Sequence, residues 1–306
     1  DNELVSFLKN HYLTSLVYTR ELLEIALIGC GDSDGSGMYI LKYKLDDKLV
    51  GCITGVFQKD CRDCDYLFVN FLCVHEYFRG QGIASLLKKK LLDTAIVKFP
   101  NAYAIYSIAG NSDMDSNSSG NDELSVCNFD KVCVENYYHR PINDTVFENV
   151  NSIYTDLFNV VFIKLSADTV DPVLQMLNGR SSGSSIYRKY TRDEFCNIFL
   201  YSSDSTCKAF VACDSSGDVI GFVSYYTVYN KRLNIKVGYL SEHVGECEIA
   251  ISCLVSWLIR TRAVDLLNGV GCPEFTKLGF IKGPSKFTWY TFRKVRDCDG
   301  VGLVSI

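Results

Sequence analysis

Val69-Asn70-Phe71-Leu72-Cys73-Val74-His75-Glu76-Tyr77-Phe78-Arg79-Gly80-Gln81-Gly82-Ile83-Ala84 decides how this chain is read. An apolar run with the look of a buried strand passes directly into Arg-Gly-Gln-Gly and then into a helix-like stretch, Ile83 to Val97. Glycines at a strand-to-helix turn let backbone N–H groups approach an anion, and the N-terminus of the following helix adds partial positive charge. A glycine-rich turn alone is a weak signal. A dinucleotide-binding fingerprint needs three spaced glycines and a downstream acid on a strand end, which makes that fold the weaker reading.

Outward from this segment the chain repeats itself. Asp47-Lys48-Leu49-Val50-Gly51-Cys52-Ile53-Thr54 reads as a polar turn followed by a strand through a glycine, and Gly217-Asp218-Val219-Ile220-Gly221-Phe222-Val223-Ser224 has the same pattern. After the first copy come the strand-like run Tyr66 to Val74, the helix Ile83 to Val97 and a strand Ala102 to Ile108. After the second come Ile235 to Leu240, the amphipathic stretch Cys247 to Arg260 and a strand Val264 to Leu267. Hairpin, strand, helix, strand, twice over, describes an α/β fold of two mixed-sheet halves related by an internal pseudo-repeat. Asn111 to Asp122 is poor in apolar residues and reads as a surface loop inserted in the first half, ahead of a strand from Val126 to Val134. Thr191 reads as the N-cap of a helix from Arg192 to Leu200. The switch between halves is expected near Ser166, after the strand Val160 to Leu165, giving an N-terminal half 1–165 and a C-terminal half 166–306.

Composition narrows the functions. The 306 residues carry 31 Lys plus Arg against 36 Asp plus Glu, a net charge of −5. That balance argues against a general nucleic-acid binder, which needs a surplus of cations for the phosphate backbone. No run reaches the roughly 18 apolar residues of a membrane span, and Asp1-Asn2-Glu3-Leu4 is not the start of a secretory signal. The absence of an initiator Met points to further residues upstream. The 14 cysteines are scattered over a chain long enough to fold without staples. Only Cys61-Arg62-Asp63-Cys64 has metal-like spacing, and no second pair answers it, so reduced thiols, no metal and a cytoplasmic setting are expected.

Arg79-x-x-Gly82-x-Ala84 is similar to the loop with which GNAT acyltransferases hold the coenzyme A pyrophosphate. Asn70-Phe71-Leu72-Cys73-Val74-His75 goes further: it resembles the first signature of the eukaryotic N-myristoyltransferases, which are two fused GNAT-like halves. Other landmarks of that family follow in order. They are Tyr138-His139-Arg140-Pro141-Ile142-Asn143, Ser224-Tyr225-Tyr226-Thr227, Lys277-Leu278-Gly279-Phe280-Ile281-Lys282-Gly283 and the closing Val301-Gly302-Leu303-Val304. Departures accompany them. Glu76 stands where the family has a basic residue, Lys282 stands at the second signature's aspartate, and His11-Tyr12-Leu13-Thr14-Ser15 lacks the family's acidic loop. These mark a divergent member, of viral or parasite type.

The resemblance implies myristoyl-CoA as co-substrate and proteins with an N-terminal glycine as acceptors, with the enzyme a monomer engaged in lipoprotein biosynthesis. It assigns Phe71, Leu72, Cys73, Val74, Arg79, Gly80, Gln81, Gly82, Ile83 and Ala84 to the acyl-CoA. It places the oxyanion donors at the amides of Phe71 and Leu72, the amine-orienting groups at Asn70 and Ser107, and the general base at the C-terminal carboxylate of Ile306. Tyr137, Tyr138, His139, Tyr225, Tyr226 and Gly283 become the peptide-groove candidates, and His75 a structural or CoA-side residue. The tail suits its role on separate grounds. Chain ends are usually polar and frayed, whereas Gly300 to Ile306 is apolar to its last residue. Cys73, among apolar neighbours, is expected to be an inert thiol and no acyl carrier. An acetyl-CoA-dependent GNAT enzyme, or a non-catalytic binder of acyl-CoA or N-terminal peptides, are the other readings the sequence leaves open.

Overall fold

The computed structural model describes residues 2–12, 15–26, 37–111, 129–143, 159–180, 185–202, 206–292 and 300–301. In chain order the first elements are α1 (Asn2–His11), β1 (Leu16–Val17), α2 (Arg20–Ala26), β2 (Met38–Leu45), β3 (Lys48–Asp60), β4 (Asp65–Val74), α3 (Ile83–Lys98), β5 (Tyr103–Asn111) and β6 (Phe129–Pro141). Then come β7 (Val161–Lys164), α4 (Val170–Asn178), β8 (Ser185–Ile186), β9 (Arg188–Lys189), α5 (Arg192–Phe195), β10 (Cys207–Cys213), β11 (Val219–Asn230), β12 (Ile235–Gly245), α6 (Cys247–Thr261), β13 (Leu266–Val270), β14 (Ile281–Phe292) and β15 (Gly300–Val301). No helix among the described residues is long and apolar enough to cross a membrane.

One sheet of 13 strands carries both halves, in the order β2-β3-β4-β5-β14-β6-β13-β12-β11-β10-β7, with β1 paired to β11 and β9 to β3. The repeat seen in the sequence is visible as geometry. β4 pairs parallel to β5 with α3 between them in the chain, and β12 pairs parallel to β13 with α6 between them. The two repeat glycines do the same work. A Cβ on Gly51 would stand 3.0 Å from Ile83 Cγ2 of α3, and one on Gly221 3.2 Å from Ala250 Cβ of α6. Each glycine lets a crossover helix lie close on its hairpin, which a larger residue would hold off.

At the centre of the sheet the halves exchange strands. β14, from late in the chain, lies between β5 and β6, while β6 lies between β14 and β13. Separate apolar clusters sit under α3 (Leu87, Leu91, Leu92) and α6 (Ile251, Leu254, Leu258). Thr191 caps α5 as expected: its hydroxyl accepts the Glu194 N–H, and Glu194 Oε2 accepts the Thr191 N–H at 2.9 Å. The helix expected to run to Leu200 changes after Phe195 into a π turn, Cys196–Leu200. The last strand of the second unit starts at Leu266 and not at Val264, because Val264 is already buried in the core and gives the same apolar signal from a loop.

Candidate functional site

The central feature is a bulge in β4. Cys52 pairs with Cys73 and Thr54 with Asn70, so Phe71 and Leu72 together face Ile53. Phe71 has φ of 47°, a backbone conformation that costs a non-glycine residue energy and marks sites where function holds the strain. Local bonds hold the bulge. Asn70 Oδ1 accepts the Phe71 N–H at 2.9 Å, and the Thr54 hydroxyl donates to the Asn70 carbonyl at 2.9 Å. The Phe71 ring is fully buried with its edge against Tyr12.

Below the bulge opens a pocket of about 360 Å³, lined by Leu72, Cys73, Val74, Arg79, Gly80, Gly82, Ile83 and Ala84, together with His11 and Tyr12. Its floor is the start of α3. Gly82 is the N-cap with φ of 77°, and Gly80 has φ of 76°. A Cβ built on either would meet nothing within 4 Å beyond its chain neighbours, so their side-chain positions open onto free space and the positive φ is what calls for glycine. His75 Nδ1 accepts the Tyr77 N–H at 3.3 Å and caps the short turn Glu76–Phe78, the structural role expected of it. Arg79 Nε donates to the Val74 carbonyl at 3.1 Å, which ties the guanidinium to the end of β4. Gln81 is outside this lining, its amide reaching back to the Tyr77 carbonyl. Burial pushes the Cys73 thiol up to about 12, against a smaller opposing effect of Arg79, so it stays protonated and unreactive at neutral pH. Every cysteine among the described residues is free, and the Cys61 thiol lies against the Leu177 and Arg188 carbonyls.

Above the bulge lies a larger cavity of about 680 Å³ that shares Tyr12 and Leu72 with the first. Its lining includes the aliphatic side chains of Ile53, Val69, Leu72, Leu91 and Leu92. It also includes aromatic and polar side chains, Tyr18, Tyr106, Tyr137, His139, Tyr226 and Tyr239. Asn70, Phe71 and Ser107 line the same cavity. Tyr137 and His139 share a hydrogen-bond chain. Asn268 Nδ2 donates to the Tyr137 hydroxyl at 3.1 Å, so its Oδ1, 2.8 Å from His139 Nδ1, accepts from that ring nitrogen. Tyr138 and Tyr225 do not line the cavity. Strand alternation turns them to the opposite face of the sheet, where both are buried in the cluster under α6. Gly283 packs flat on His139: a Cβ there would be 2.4 Å from Nε2. Ile306 lies outside the described residues. Gly300 and Val301 of β15 pair with Ser185 and Ile186 of β8, and Ile186 packs with Phe68, Ile105 and the cavity residue Trp289.

Sequence reasoning missed Asn268, Tyr239 and Trp289. Asn268 was findable as a polar residue inside the apolar run Leu266-Leu267-Asn268-Gly269-Val270. It also missed Glu135. This carboxyl sits two and four residues before Tyr137 and His139 on β6, on the same face, and accepts the Trp289 Nε1–H at 2.7 Å. Burial, opposed only by that hydrogen bond, raises its pKa from 4.5 to about 7. Between those values an unfolded chain ionises this group while the folded chain keeps it protonated. Stability is therefore undiminished below about pH 4.5 and falls as pH rises through about 7, by up to about 3 kcal/mol. Glu135→Gln is expected to flatten this component and to raise stability at pH 8. Urea midpoints of the two chains at pH 5 and pH 8 check it, and parallel pH curves would contradict it.

Residues 6–116 match the Acetyltransferase (GNAT) family. Glycylpeptide N-tetradecanoyltransferase of Candida glabrata is 24% identical over 248 residues, covering 76% of this chain and 54% of that protein. The chain thus spans about half the length of that curated relative. N-myristoyltransferase of Saccharomyces cerevisiae, crystallised with bound myristoyl-CoA, superposes with a TM-score of 0.72 at 17% identity, over 99% of this chain and 82% of that one. A GCN5-related N-acetyltransferase from Anabaena variabilis reaches 0.55 at 10% identity, over 95% and 69%. These matches bear out the expected mixed α/β fold with a GNAT domain, and the chain is similar to the Candida glabrata glycylpeptide N-tetradecanoyltransferase at 24% identity.

Proposed function

We propose that this chain is an acyltransferase that moves a myristoyl group from myristoyl-CoA to the N-terminal glycine amine of proteins. The observation that carries the reading is the meeting of two cavities at one backbone bulge. A glycine-lined anion cradle lies on one side of Phe71-Leu72, and a largely apolar chamber of about 680 Å³ lies on the other. Such an arrangement suits a ligand with phosphates at one end, a long hydrocarbon at the other and a thioester between. An acetyl donor leaves the aliphatic lining of Ile53, Leu91 and Leu92 without an occupant. The related Candida and Saccharomyces proteins, named for tetradecanoyl and myristoyl transfer, support the same donor.

On this reading the thioester carbonyl sits at the bulge and the amides of Phe71 and Leu72 stabilise the tetrahedral oxyanion. Donors preorganised for charge that develops in the transition state commonly lower the barrier of such reactions more than any other single effect. The Phe71 N–H donates to Asn70 Oδ1 in the structure. The Asn70 carboxamide then releases that amide to the oxyanion and, with Ser107, orients the incoming amine. The nucleophile belongs to the substrate, so no enzyme thiol is acylated. The carboxylate of Ile306 takes the proton from the glycine amine. Tyr137, His139 and Tyr226 line the peptide side.

Mass spectrometry of a glycine-initiated peptide incubated with acetyl-CoA and with myristoyl-CoA tests the proposal. Transfer from myristoyl-CoA is expected. Transfer from acetyl-CoA alone, or binding of both donors with no turnover, would sink it. Arg79→Ala is expected to raise the KM for myristoyl-CoA about tenfold and spare kcat. A phosphate contact remote from the thioester holds ground and transition state alike. An unchanged KM would place the phosphates elsewhere.

A further inference from the structure

The anion cradle is short of cations: Arg79 is the one Lys or Arg that lines it among the described residues, and Glu76 stands in the turn just before it. His11 lines the same pocket from α1, a different element. Its ring packs against Phe7, with centroids 4.9 Å apart and planes tilted by 43°, and against His75, at 4.2 Å and 39°. Its Nδ1 is buried and finds no hydrogen-bond partner among the described residues, with Glu76 Oε2 3.6 Å away. An imidazole packed against two rings at the C-terminal end of α1 is thus held in the lining of this pocket.

His11, His75 and Glu76 also offer ligand atoms within 4.8 Å of one another, as a metal site would. The hydrogen bonding speaks against that use. His75 Nδ1 accepts the Tyr77 N–H, so its proton is on Nε2, the nitrogen a metal would need bare. This leaves the His75 Nε2–H as a donor and not as a ligand atom.

We propose that His11 is a phosphate ligand of this pocket, donating a hydrogen bond to a phosphate oxygen of CoA and so adding a side-chain donor to the one that Arg79 offers. The inference rests on the acyl-CoA reading above and adds to it a residue outside the loop.

Isothermal titration calorimetry with the full chain tests it, using CoA, dephospho-CoA and pantetheine as probes. His11→Ala is expected to weaken CoA about tenfold, the size of one charge-assisted hydrogen bond at a partly exposed site, and to leave pantetheine unchanged. A loss that persists with dephospho-CoA assigns the contact to the pyrophosphate; a loss that vanishes assigns it to the 3′-phosphate; either supports the proposal. Equal CoA affinity in the variant, or an equal loss for pantetheine, overturns it. So does stoichiometric zinc binding that His11→Ala abolishes. Failure of the unaltered chain to bind CoA at all counts against the acyl-CoA reading itself and is thereby distinguishable from failure of His11.

Discussion

Adding one residue after Ile306 is expected to lower kcat for myristoyl transfer about 10²–10⁴-fold, the usual contribution of a positioned general base, while acyl-CoA still binds. The reason is the state of the nucleophile. An α-amine with an unperturbed pKa of about 7.7–8.0 is mostly protonated at neutral pH and must lose a proton before it attacks. A main-chain carboxylate drawn into an apolar interior has its pKa raised, which makes it a competent base. On the proposed mechanism the main-chain carboxylate and not the side chain is the base, so Ile306→Leu should keep most activity. β15 already sets Val301 beside Ile186, which packs with Phe68 and Trp289 at the cavity wall. A one-residue extension spares that packing and moves only the charge, so it separates loss of the base from loss of the fold. Single-turnover rates and CoA affinity of the extended chain give the answer. Native turnover in a folded, CoA-binding extended chain would remove the C-terminal base from the mechanism.

What could be read in advance divides along physical lines. The strand-to-helix loop and the repeat glycines were legible because their meaning is local: a Gly at a turn, or under a helix, is needed whatever else the chain does. The bulge at Phe71-Leu72 was reached only through resemblance, since nothing in Asn-Phe-Leu-Cys spells out a positive φ. The exchange of β6 and β14 between the halves was not legible, because strand order is a matter of long-range pairing that no local pattern encodes. Register explains the divided fate of the tyrosines. Tyr137 and Tyr138, or Tyr225 and Tyr226, are adjacent in sequence, yet alternation sends one of each pair to the cavity and the other to the core. Without the register, both members of each pair looked like groove residues. Glu135 escaped notice for the converse reason: a carboxyl in an alternating strand reads as solvent-facing until Trp289 is placed against it.

Glu242→Ala is expected to destabilise the fold by about 3–5 kcal/mol, the cost of leaving one member of a buried ion pair behind. Glu242 is nearly inaccessible on β12. Its Oε2 accepts from Arg180 Nη1 at 2.9 Å and its Oε1 from the Tyr190 hydroxyl at 2.7 Å. Arg180 also donates from Nε to the Leu177 carbonyl and stacks on Tyr187. The turn after β3 docks on this same segment, with the Cys61 N–H on the Tyr187 carbonyl and the Cys61 thiol near the Leu177 carbonyl. The ion pair thus lies where the first half meets the second. It also lies behind the site, since a small pocket joins Glu242, Tyr190 and Arg188 to Asn70. Removing Glu242 strands a guanidinium and a phenol away from water, and the desolvation penalty is then uncompensated. Removing the whole set strands nothing. Arg180→Met with Glu242→Leu and Tyr190→Phe should therefore recover most of the loss, as apolar replacements of buried ion pairs commonly do. Urea unfolding of the single and triple variants measures both quantities. A single variant with an unmoved midpoint would mean the pair is solvated in solution; a triple variant as unstable as the single would mean that packing around Glu242, and not its charge, holds the two halves together.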